Sequence, residues 1–250
     1  MTRHNFTTHG ADAQPVRGYL ATPTTPGPWP GVVVIHEAFG LTADMARQAD
    51  RFAERGYLAL APDLYARGFT PVCLVSTMRQ MIRGRDGRAL RDIDAARMAL
   101  QARADCTGKI GVIGFCMGGG FAILAAGKGF DVSAPNYGAA PENLRAVLAG
   151  GCPIVGSYGA RDGKALQGTA QRLEATLTDL GIEHDVKEYP EAAHSFMTEG
   201  TGPWAWTERV SGLRFAPAAA EDAWARVFRF FDRHLGPDVP AGREDARPAR

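Results

Sequence analysis

Short apolar runs rich in β-branched residues alternate along the chain with longer amphipathic stretches. The runs are bounded by proline, glycine or charged residues, which is typical of strands buried in a parallel sheet. The predicted strands cover residues 32–35, 58–61, 110–113, 153–158 and 185–189. Strands that alternate with helices in this way predict an α/β fold, with a mostly parallel central sheet and helices on both faces.

Several of the amphipathic stretches carry apolar side chains at the spacing of one helix face. The last stretch is the clearest, and it is predicted to close the fold as a long helix. The apolar positions are Met45, Ala46, Ala49, Phe52 and Ala53 in the first stretch, Ile93, Ala95, Ala96 and Leu100 in the second, and Ala220, Ala223, Trp224, Val227, Phe228, Phe231 and Leu235 in the third.

The chain has 250 residues, of which 45% are apolar and 22% are charged. This length and composition can bury one substantial core, so we predict a single domain over residues 1–235. The polar residues that begin the chain, His4 and His9 among them, are expected to form a polar leader. Residues 236–250 are rich in proline, glycine and charge, and this composition predicts a disordered tail.

Charge and hydropathy exclude several classes of partner. The formal net charge of +1 gives no electrostatic attraction to nucleic acid or to an anionic membrane surface. The sequence contains no apolar run long enough for a transmembrane helix, and its polar N-terminus does not resemble a secretion signal. The cysteines are too sparse for a disulfide framework. We therefore predict a soluble, cytoplasmic protein, and the sequence leaves monomer and homodimer open as oligomeric states.

The segment Gly-Phe-Cys-Met-Gly at residues 114–118 directly follows a predicted strand and precedes a helix-like stretch. It matches the G-x-nucleophile-x-G turn of α/β-hydrolases, with Cys116 in place of the more common serine. A turn this sharp needs small residues on either side and holds its central residue in strained backbone space. The N-terminus of the following helix favours the thiolate form of the cysteine. The pattern therefore predicts a nucleophilic thiol on an α/β-hydrolase fold.

Two other interpretations of this turn stay open. Cysteine is often simply buried in a core, and a glycine-rich turn between a strand and a helix also begins dinucleotide-binding domains. The dinucleotide fingerprint G-x-G-x-x-G needs a glycine where this chain has Cys116, and no register of residues 111–120 restores it. A structural cysteine is therefore the main alternative to a catalytic one.

A nucleophile of this kind needs a histidine base and an acid that orients it. The fold places them after the nucleophile, in the order acid, then histidine. Asp162 lies in a turn-rich loop after the fourth predicted strand, and His194 lies in a loop after the fifth. Each alone also fits a turn aspartate or a surface histidine. In this order, after successive strands, they predict a triad of Cys116, His194 and Asp162.

The turn after the first predicted strand supplies the second part of the expected site. This fold takes one oxyanion donor from that turn and another from the residue after the nucleophile, so the backbone N–H groups of Ala38 and Met117 are the predicted donors. Glu37 stands in the same turn, from which a carboxylate can reach the nucleophile. His36 and Glu37 also fit a simple capping turn before the helix that starts near Thr42.

The candidates for substrate contact are side chains around this predicted site. Residues 65–88 are longer than an ordinary connection and are predicted to form a lid, from which Arg83 and Arg85 can reach the substrate. Arginines in such stretches also commonly face water. For Trp204, packing against the last predicted helix is the alternative to substrate contact. The remaining candidates are the aromatic residues Phe39, Tyr65, Phe196 and Trp204.

Taken together, these segments resemble the dienelactone hydrolase family, and the resemblance extends over about residues 16–235. The segments that carry it are GFCMGG at 114–119, His36-Glu37, Pro62-Asp63-Leu64-Tyr65, Asp162 and Ala193-His194-Ser195-Phe196. The resemblance implies hydrolysis of small-molecule esters or lactones by a Cys-His-Asp triad without a metal or an organic cofactor. It also implies that Glu37 holds the resting thiol and helps to deprotonate it when substrate arrives.

One feature departs from the family pattern. Dienelactone hydrolases carry an arginine shortly after the catalytic histidine that helps to bind the substrate carboxylate, whereas this chain has the sequence Ser-Phe-Met-Thr after His194. Dienelactone itself is therefore not the expected substrate. The alternative hypothesis for function is a hydrolase scaffold that no longer turns over and uses Cys116 as a redox or ligand-sensing thiol.

Overall fold

The computed structural model describes residues 2–9, 15–66, 71–199 and 215–236. These residues contain one sheet of eight strands. The side chains of residues 2–4 and 71–73 are outside this description. The strands are β1 (Thr2–His9), β2 (Pro15–Thr22), β3 (Trp29–Ile35), β4 (Leu58–Pro62), β5 (Cys106–Phe115), β6 (Val132–Asn136), β7 (Ile154–Gly159) and β8 (His184–Tyr189). Their order across the sheet is β1-β2-β4-β3-β5-β6-β7-β8.

The sheet is parallel except at one border. Strand β1 is antiparallel to β2, and β2 is antiparallel to β4. Strands β4, β3, β5, β6, β7 and β8 all run in the same direction. Their carboxyl ends meet at one edge of the sheet, which is where open α/β sheets bind ligands. The predicted α/β fold with a mostly parallel sheet is confirmed.

Helices cover both faces of the sheet, as predicted. They are α1 (Ala43–Glu54), α2 (Pro71–Ile82), α3 (Arg88–Gln101), α4 (Met117–Ala126), α5 (Leu144–Leu148), α6 (Thr169–Leu180) and α7 (Pro217–Leu235). Within the described ranges, none of these helices is both long and apolar enough to cross a membrane.

The start of α1 shows which residue caps that helix. The hydroxyl of Thr42 accepts a hydrogen bond from the N–H of Met45 (3.4 Å). Thr42 therefore satisfies one of the free N–H groups of the first turn. The capping role considered for His36 and Glu37 is wrong, and these two residues are available for other contacts.

The predicted strands are confirmed as β3, β4, β5, β7 and β8, and the predicted helices as α1, α3 and α7. The segment predicted as a polar leader forms strand β1, since residues 2–9 pair with β2 along their whole length. Strand β6 escaped prediction because Ser133, Pro135 and Asn136 interrupt its apolar pattern. Ser133 is nevertheless buried, since its hydroxyl donates to the carbonyl of Ala122 (2.9 Å).

Two predicted segments fall partly outside the described residues. The segment predicted as a lid contains α2, and its residues 67–70 lie outside them. Met81 of α2 is buried against α4, where a Cβ on Gly120 would lie 2.3 Å from the Met81 sulfur. The tail predicted from residue 236 begins where α7 ends, and residues 237–250 lie outside the described ranges.

The core lies in two layers, one on each face of the sheet. In the layer under α1 and α7, the ring of Phe52 contacts those of Tyr57, Trp224, Phe228 and Phe231, with centroid distances from 5.2 Å to 5.8 Å. The other layer lies under α3, α4 and α6. The two layers pack against the strands whose carboxyl ends form the site.

Replacing Phe52 by alanine is expected to lower the free energy of unfolding by about 3–5 kcal/mol, the usual cost of removing a buried phenylalanine. Phe52 has no exposed surface, so the loss of apolar burial comes with an unfilled cavity. Urea denaturation measures the change, with Met98→Ala as the control because Met98 is 58% exposed. A Phe52→Ala variant as stable as Met98→Ala would contradict the packing described for α1 and α7.

Candidate active site

Cys116 occupies the turn between β5 and α4, with backbone angles φ = 53° and ψ = −115°. Positive φ is unfavourable for a residue with a side chain, so the surroundings have to impose it. Glycines permit this turn: a Cβ on Gly114 would lie 1.9 Å from the carbonyl oxygen of Gly118, and one on Gly118 would lie 2.3 Å from that of Ile35. The G-x-C-x-G spacing therefore has a steric cause.

Hydrogen bonds tie the backbone of this turn to its neighbours. The N–H of Cys116 donates to the carbonyl of Asn136 at the end of β6 (3.1 Å), and the carbonyl of Cys116 accepts from the N–H groups of Gly119 and Gly120. Met117 is the first residue of α4, a position whose N–H has no partner inside the helix. The helix N-terminus next to the sulfur favours negative charge there.

Asp162 and His194 come together across the carboxyl ends of β7 and β8. The Nδ1 atom of His194 and the Oδ2 atom of Asp162 are 2.8 Å apart. The N–H of Gly163 donates to the other carboxylate oxygen of Asp162 (2.6 Å) and so fixes its orientation. Because an ionised carboxylate only accepts, Nδ1 carries the hydrogen and Nε2 is left for a second partner.

The side chains of His194 and Cys116 interact, and this interaction raises the pKa of the imidazole. Burial lowers the pKa of this imidazole, but its interactions with Asp162 and Cys116 outweigh burial and raise the pKa to about 10. An imidazole with such a pKa is protonated at neutral pH and stabilises a neighbouring thiolate. Side-chain exposures of 19% for His194 and 6% for Asp162 place the carboxylate behind the imidazole.

Glu37 has its own contacts beside these three residues. Its Oε1 atom accepts hydrogen bonds from the hydroxyls of Ser195 (3.1 Å) and Thr198 (3.0 Å), and the Thr198 hydroxyl is also 2.8 Å from that of Tyr137. Burial raises the pKa of Glu37, although the two hydroxyl donors and His194 oppose the shift. In this structure the thiol is paired with the imidazole, and Glu37 is paired with hydroxyl groups.

Sequence reasoning missed Tyr137, Ser195 and Thr198 as parts of this arrangement. Tyr137 follows β6, is fully buried, and packs edge-on against the ring of His194 with 5.3 Å between centroids. Its place at the carboxyl end of a strand is a usable signal, but only once β6 is recognised. Ser195 stands in a family motif and Thr198 in the segment that lacks an arginine, and neither pattern predicts the contacts of their hydroxyls with Glu37.

The predicted oxyanion donors lie in two neighbouring segments. Ala38 is at the corner of a turn in which the N–H of Gly40 donates to the carbonyl of Glu37 (3.2 Å). Gly118 brings the start of α4 against the end of β3, since a Cβ on it would lie 2.8 Å from the carbonyl oxygen of His36. The turn that contains Ala38 therefore starts beside the N-terminus of α4.

Phe39 and Tyr65 lie near this turn. Phe39 is 74% exposed, whereas Tyr65 is buried with its hydroxyl 3.5 Å from the sulfur of Met117. Arg83 and Arg85 are exposed, in the turn after α2 that packs against the segment before α5. Contact of these four side chains with substrate stays a prediction.

Phe196 does not line the site, and its assignment as a substrate contact is wrong. Its side chain has no exposed surface, because the ring packs between those of Tyr137 and Tyr189 in the core. The sequence alone is compatible with Phe196 in the site or in the core, and the packing observed here places it in the core. Trp204, the remaining candidate, lies outside the described residues.

A sequence model of the dienelactone hydrolase family matches residues 16–235, a range that includes all the site residues described above. The chain belongs to the dienelactone hydrolase family. This membership supports an ester or lactone hydrolase, and the fold is that of the α/β-hydrolases. The match begins and ends where the resemblance of the sequence motifs predicted.

Individual relatives match this dienelactone hydrolase family member along nearly their whole length. Protein usf of Aquifex pyrophilus is 31% identical over 235 residues, which cover 88% of this chain and 94% of that protein. A protein of Synechocystis sp. that bears the provisional name carboxymethylenebutenolidase is 27% identical over 240 residues, covering 88% and 92%. The solved structure of a dienelactone hydrolase-like promiscuous phosphotriesterase from metagenomic libraries has a TM-score of 0.76 at 27% identity, over 94% of this chain and 100% of that one.

In this family member, Glu37→Gln is expected to stabilise the fold at alkaline pH. The pKa of Glu37 is raised above its ordinary value of 4.5, so the folded state holds the proton more tightly than the unfolded chain does. The folded state therefore loses stability as pH rises from 4.5 through the raised pKa of Glu37. Glutamine keeps an oxygen for Ser195 and Thr198 and carries no charge. Thermal melting should give a higher midpoint for the variant at alkaline pH, and the difference should shrink as pH falls below 4.5.

Glu174→Gln is the matched control for this comparison, because Glu174 is exposed on α6. Both substitutions remove one carboxyl group, so the effect of net charge on stability is the same in the two variants. A midpoint difference that does not vary with pH, or that is equal in both variants, would show that the carboxyl of Glu37 is not desolvated.

Proposed function

We propose that the chain hydrolyses small carboxylic esters or lactones through a thioester formed on Cys116. The observation that carries this proposal is the hydrogen bond between Asp162 and His194, together with the interaction of His194 with the Cys116 side chain at a turn between a strand and a helix. Such an arrangement prepares a thiolate and places a proton donor beside it. The order of the three residues along the chain is the order expected for this fold.

In the acylation step, the proton of the Cys116 thiol is held on His194, and the thiolate attacks the carbonyl carbon of the substrate. A carbon–sulfur bond forms, and the carbonyl oxygen becomes negatively charged. When this tetrahedral species collapses, the carbon–oxygen bond of the ester breaks and the leaving oxygen takes the proton from His194. In a lactone, the alcohol released in this way stays attached to the acyl chain.

The backbone N–H groups of Ala38 and Met117 are the proposed donors to the negative oxygen. Their location supports this role, since the turn at Ala38 and the first residue of α4 adjoin each other beside the sulfur. Each such donor typically contributes about 2.7–4 kcal/mol to stabilisation of the transition state. The positive end of α4 adds a favourable field at the same place.

In the deacylation step, a water molecule attacks the thioester carbon while its proton passes to His194. The carbon–sulfur bond then breaks, the acid product leaves, and the thiolate of Cys116 is again paired with a protonated imidazole. Asp162 keeps the ring of His194 in one orientation through both steps.

Glu37 is proposed to help to deprotonate the Cys116 thiol when substrate arrives, as the family resemblance implies. Its raised pKa supports this role, because a carboxyl group with a pKa closer to neutrality exchanges protons more readily at working pH. In the resting structure its Oε1 atom is bonded to Ser195 and Thr198. The role therefore requires the carboxyl group to leave these hydroxyls and approach Cys116.

The acyl group of the substrate is proposed to be uncharged next to Glu37. The hydroxyls of Ser195 and Thr198 are both bonded to the Glu37 carboxylate. A substrate carboxylate placed there would face an acidic group, and residues 195–198 contain no arginine to neutralise it. Neutral esters and lactones are therefore the proposed substrates, and carboxylate-bearing dienelactone is not.

Cys116→Ala is expected to reduce hydrolysis of p-nitrophenyl acetate and of neutral lactones by roughly 10⁴–10⁶-fold, as loss of a nucleophile does in other triads. Wild-type protein quenched in acid should carry one acetyl group, which peptide mass spectrometry should locate on Cys116. Cys106→Ser is the matched control, because Cys106 is a half-buried thiol at the far end of β5. It should hydrolyse the same substrates at the wild-type rate.

Full activity in Cys116→Ala, or an acetyl group on another residue, would refute the proposed nucleophile. The alternative hypothesis, a sensing thiol at Cys116, makes a different prediction for the wild-type protein. It requires selective oxidation of Cys116 by peroxide together with no measurable hydrolysis of any short ester or lactone.

Asp162→Asn is expected to lower kcat by about 10³–10⁴-fold, because the carboxylate holds His194 in the productive tautomer. The pKa of His194 should fall from about 10 towards 6.5, since a main group that stabilises the imidazolium is removed. NMR titration of the imidazole measures this shift. Asp179→Asn, which removes only an exposed ion pair with Arg145, should change neither quantity. An unchanged His194 pKa in Asp162→Asn would be incompatible with the assigned orienting bond.

A further inference from the structure

His36 lies between β3 and the oxyanion turn, and the mechanism described so far gives it no role. Its side chain has no exposed surface. The N–H of Leu64 donates to Nε2 of His36 (3.1 Å), and Nδ1 of His36 lies 2.6 Å from the carbonyl oxygen of Glu37. Because Nε2 has to accept from Leu64, Nδ1 carries the hydrogen and donates it to Glu37. A neutral imidazole in one tautomer thus joins two loops.

The carbonyl that His36 binds belongs to the same peptide group as the N–H of Ala38. In a trans peptide these two groups point in opposite directions. The carbonyl oxygen of Glu37 is bonded both by His36 and by the N–H of Gly40 across the turn (3.2 Å). With its oxygen held in this way, the peptide cannot rotate freely, and the direction of the Ala38 N–H is fixed as well.

We propose that His36 is a positioning residue that aims the N–H of Ala38 at the negative oxygen formed during acylation. This inference rests on the proposed function, since only a reaction that forms an oxyanion uses the donor. A donor is most effective when it is oriented before the charge develops. His36 provides that orientation through its bond to Glu37 and touches no reacting atom.

The other side of His36 is anchored to the loop after β4. The Oδ1 atom of Asp63 accepts from the N–H of Tyr65 (2.9 Å), and the N–H of Asp63 donates to the carbonyl of Arg17 on β2 (2.8 Å). The ring of Tyr65 packs on the ring of His36, with 5.1 Å between centroids. These contacts hold the N–H of Leu64 in place as the donor to Nε2. Through His36, the oxyanion turn is joined to two further strands of the sheet.

This arrangement requires a neutral His36, since a second proton on Nε2 would face the N–H of Leu64. Burial lowers the pKa of His36, and this effect outweighs its bond to the carbonyl of Glu37 and the charge of Asp63, which raise it. The ring therefore keeps an accepting nitrogen at neutral pH.

Variants at position 36 separate orientation of the donor from general damage to the site. His36→Phe keeps a ring of similar size and removes both hydrogen bonds. His36→Asn places an amide N–H near the position of Nδ1 and so can retain the bond to Glu37. His184→Asn is the matched control, because Nδ1 of His184 makes the same kind of bond to the carbonyl of Ile182 (2.7 Å) at the start of β8.

Each variant is assayed for turnover of p-nitrophenyl acetate, for binding of a trifluoromethyl ketone, and for alkylation of Cys116 by iodoacetamide. The ester and the ketone both develop a negative oxygen when the thiolate adds to their carbonyl carbon. Iodoacetamide is attacked at its CH₂ carbon: a carbon–sulfur bond forms, iodide leaves, and no oxyanion arises. Alkylation therefore measures the reactivity of the thiolate without any contribution from the oxyanion donors.

His36→Phe is expected to lower kcat/KM for the ester and the affinity for the ketone by the same factor, about 10²–10³, which is the usual effect of losing one oxyanion donor. Its alkylation rate should equal that of the wild type. His36→Asn should recover most of the lost turnover and affinity. His184→Asn should match the wild type in all assays.

Wild-type ester turnover in His36→Phe would overturn this assignment. An alkylation rate that falls by the same factor as turnover would also overturn it, because the thiolate itself would then be affected. If His36→Phe fails to fold, His36→Asn is compared with His36→Gln, whose amide lies nearer the position of Nε2; equal activity of these two would overturn the assignment. Ester turnover that survives in Cys116→Ala is a separate result that would refute the proposed function.

Discussion

The turn at Cys116 depends on backbone packed directly against backbone, with no space for an intervening side chain. Gly114 faces Gly118, and Gly118 faces the end of β3, so a strand, a helix and the oxyanion turn are in contact at one point. The strain of positive φ at Cys116 is maintained by these contacts. The same contacts place the sulfur at the carboxyl edge of the sheet, within reach of the loops after β7 and β8.

Strained backbone is concentrated around that sulfur. In the described ranges, the non-glycine residues with positive φ are Cys116, Tyr137 and Ser195, and all three belong to the site. Tyr137 packs on the imidazole of His194, while the hydroxyl of Ser195 binds Glu37. Unfavourable backbone conformations thus occur at residues whose side chains need a particular orientation, and the stability of the packed sheet compensates for their strain. The acid, the imidazole and Glu37 form one connected network as a result.

Much of this site was predictable because each of its main residues has a fixed place relative to an apolar strand. Cys116, Asp162 and His194 follow β5, β7 and β8, whose patterns are clear in the sequence. Strands β1, β2 and β6 were missed, since pairing with neighbours stabilises them and their own residues are polar or interrupted. The place of Phe196 and the contacts of Tyr137 depend on tertiary packing and strained backbone, which periodicity does not record.

The functional groups described above lie at the carboxyl edge of the parallel strands, on the opposite side of the sheet from its amino edge. Gly56 and Gly181, both with positive φ, precede β4 and β8 at that amino edge, and a Cβ on either would meet no atom within 4 Å, so the space around these turns is open. The six residues of β8 separate the two edges by about 20 Å. A surface tether or a fused reporter attached at the amino edge would leave the thiol facing solution, so the enzyme can be immobilised without obstructing substrate entry.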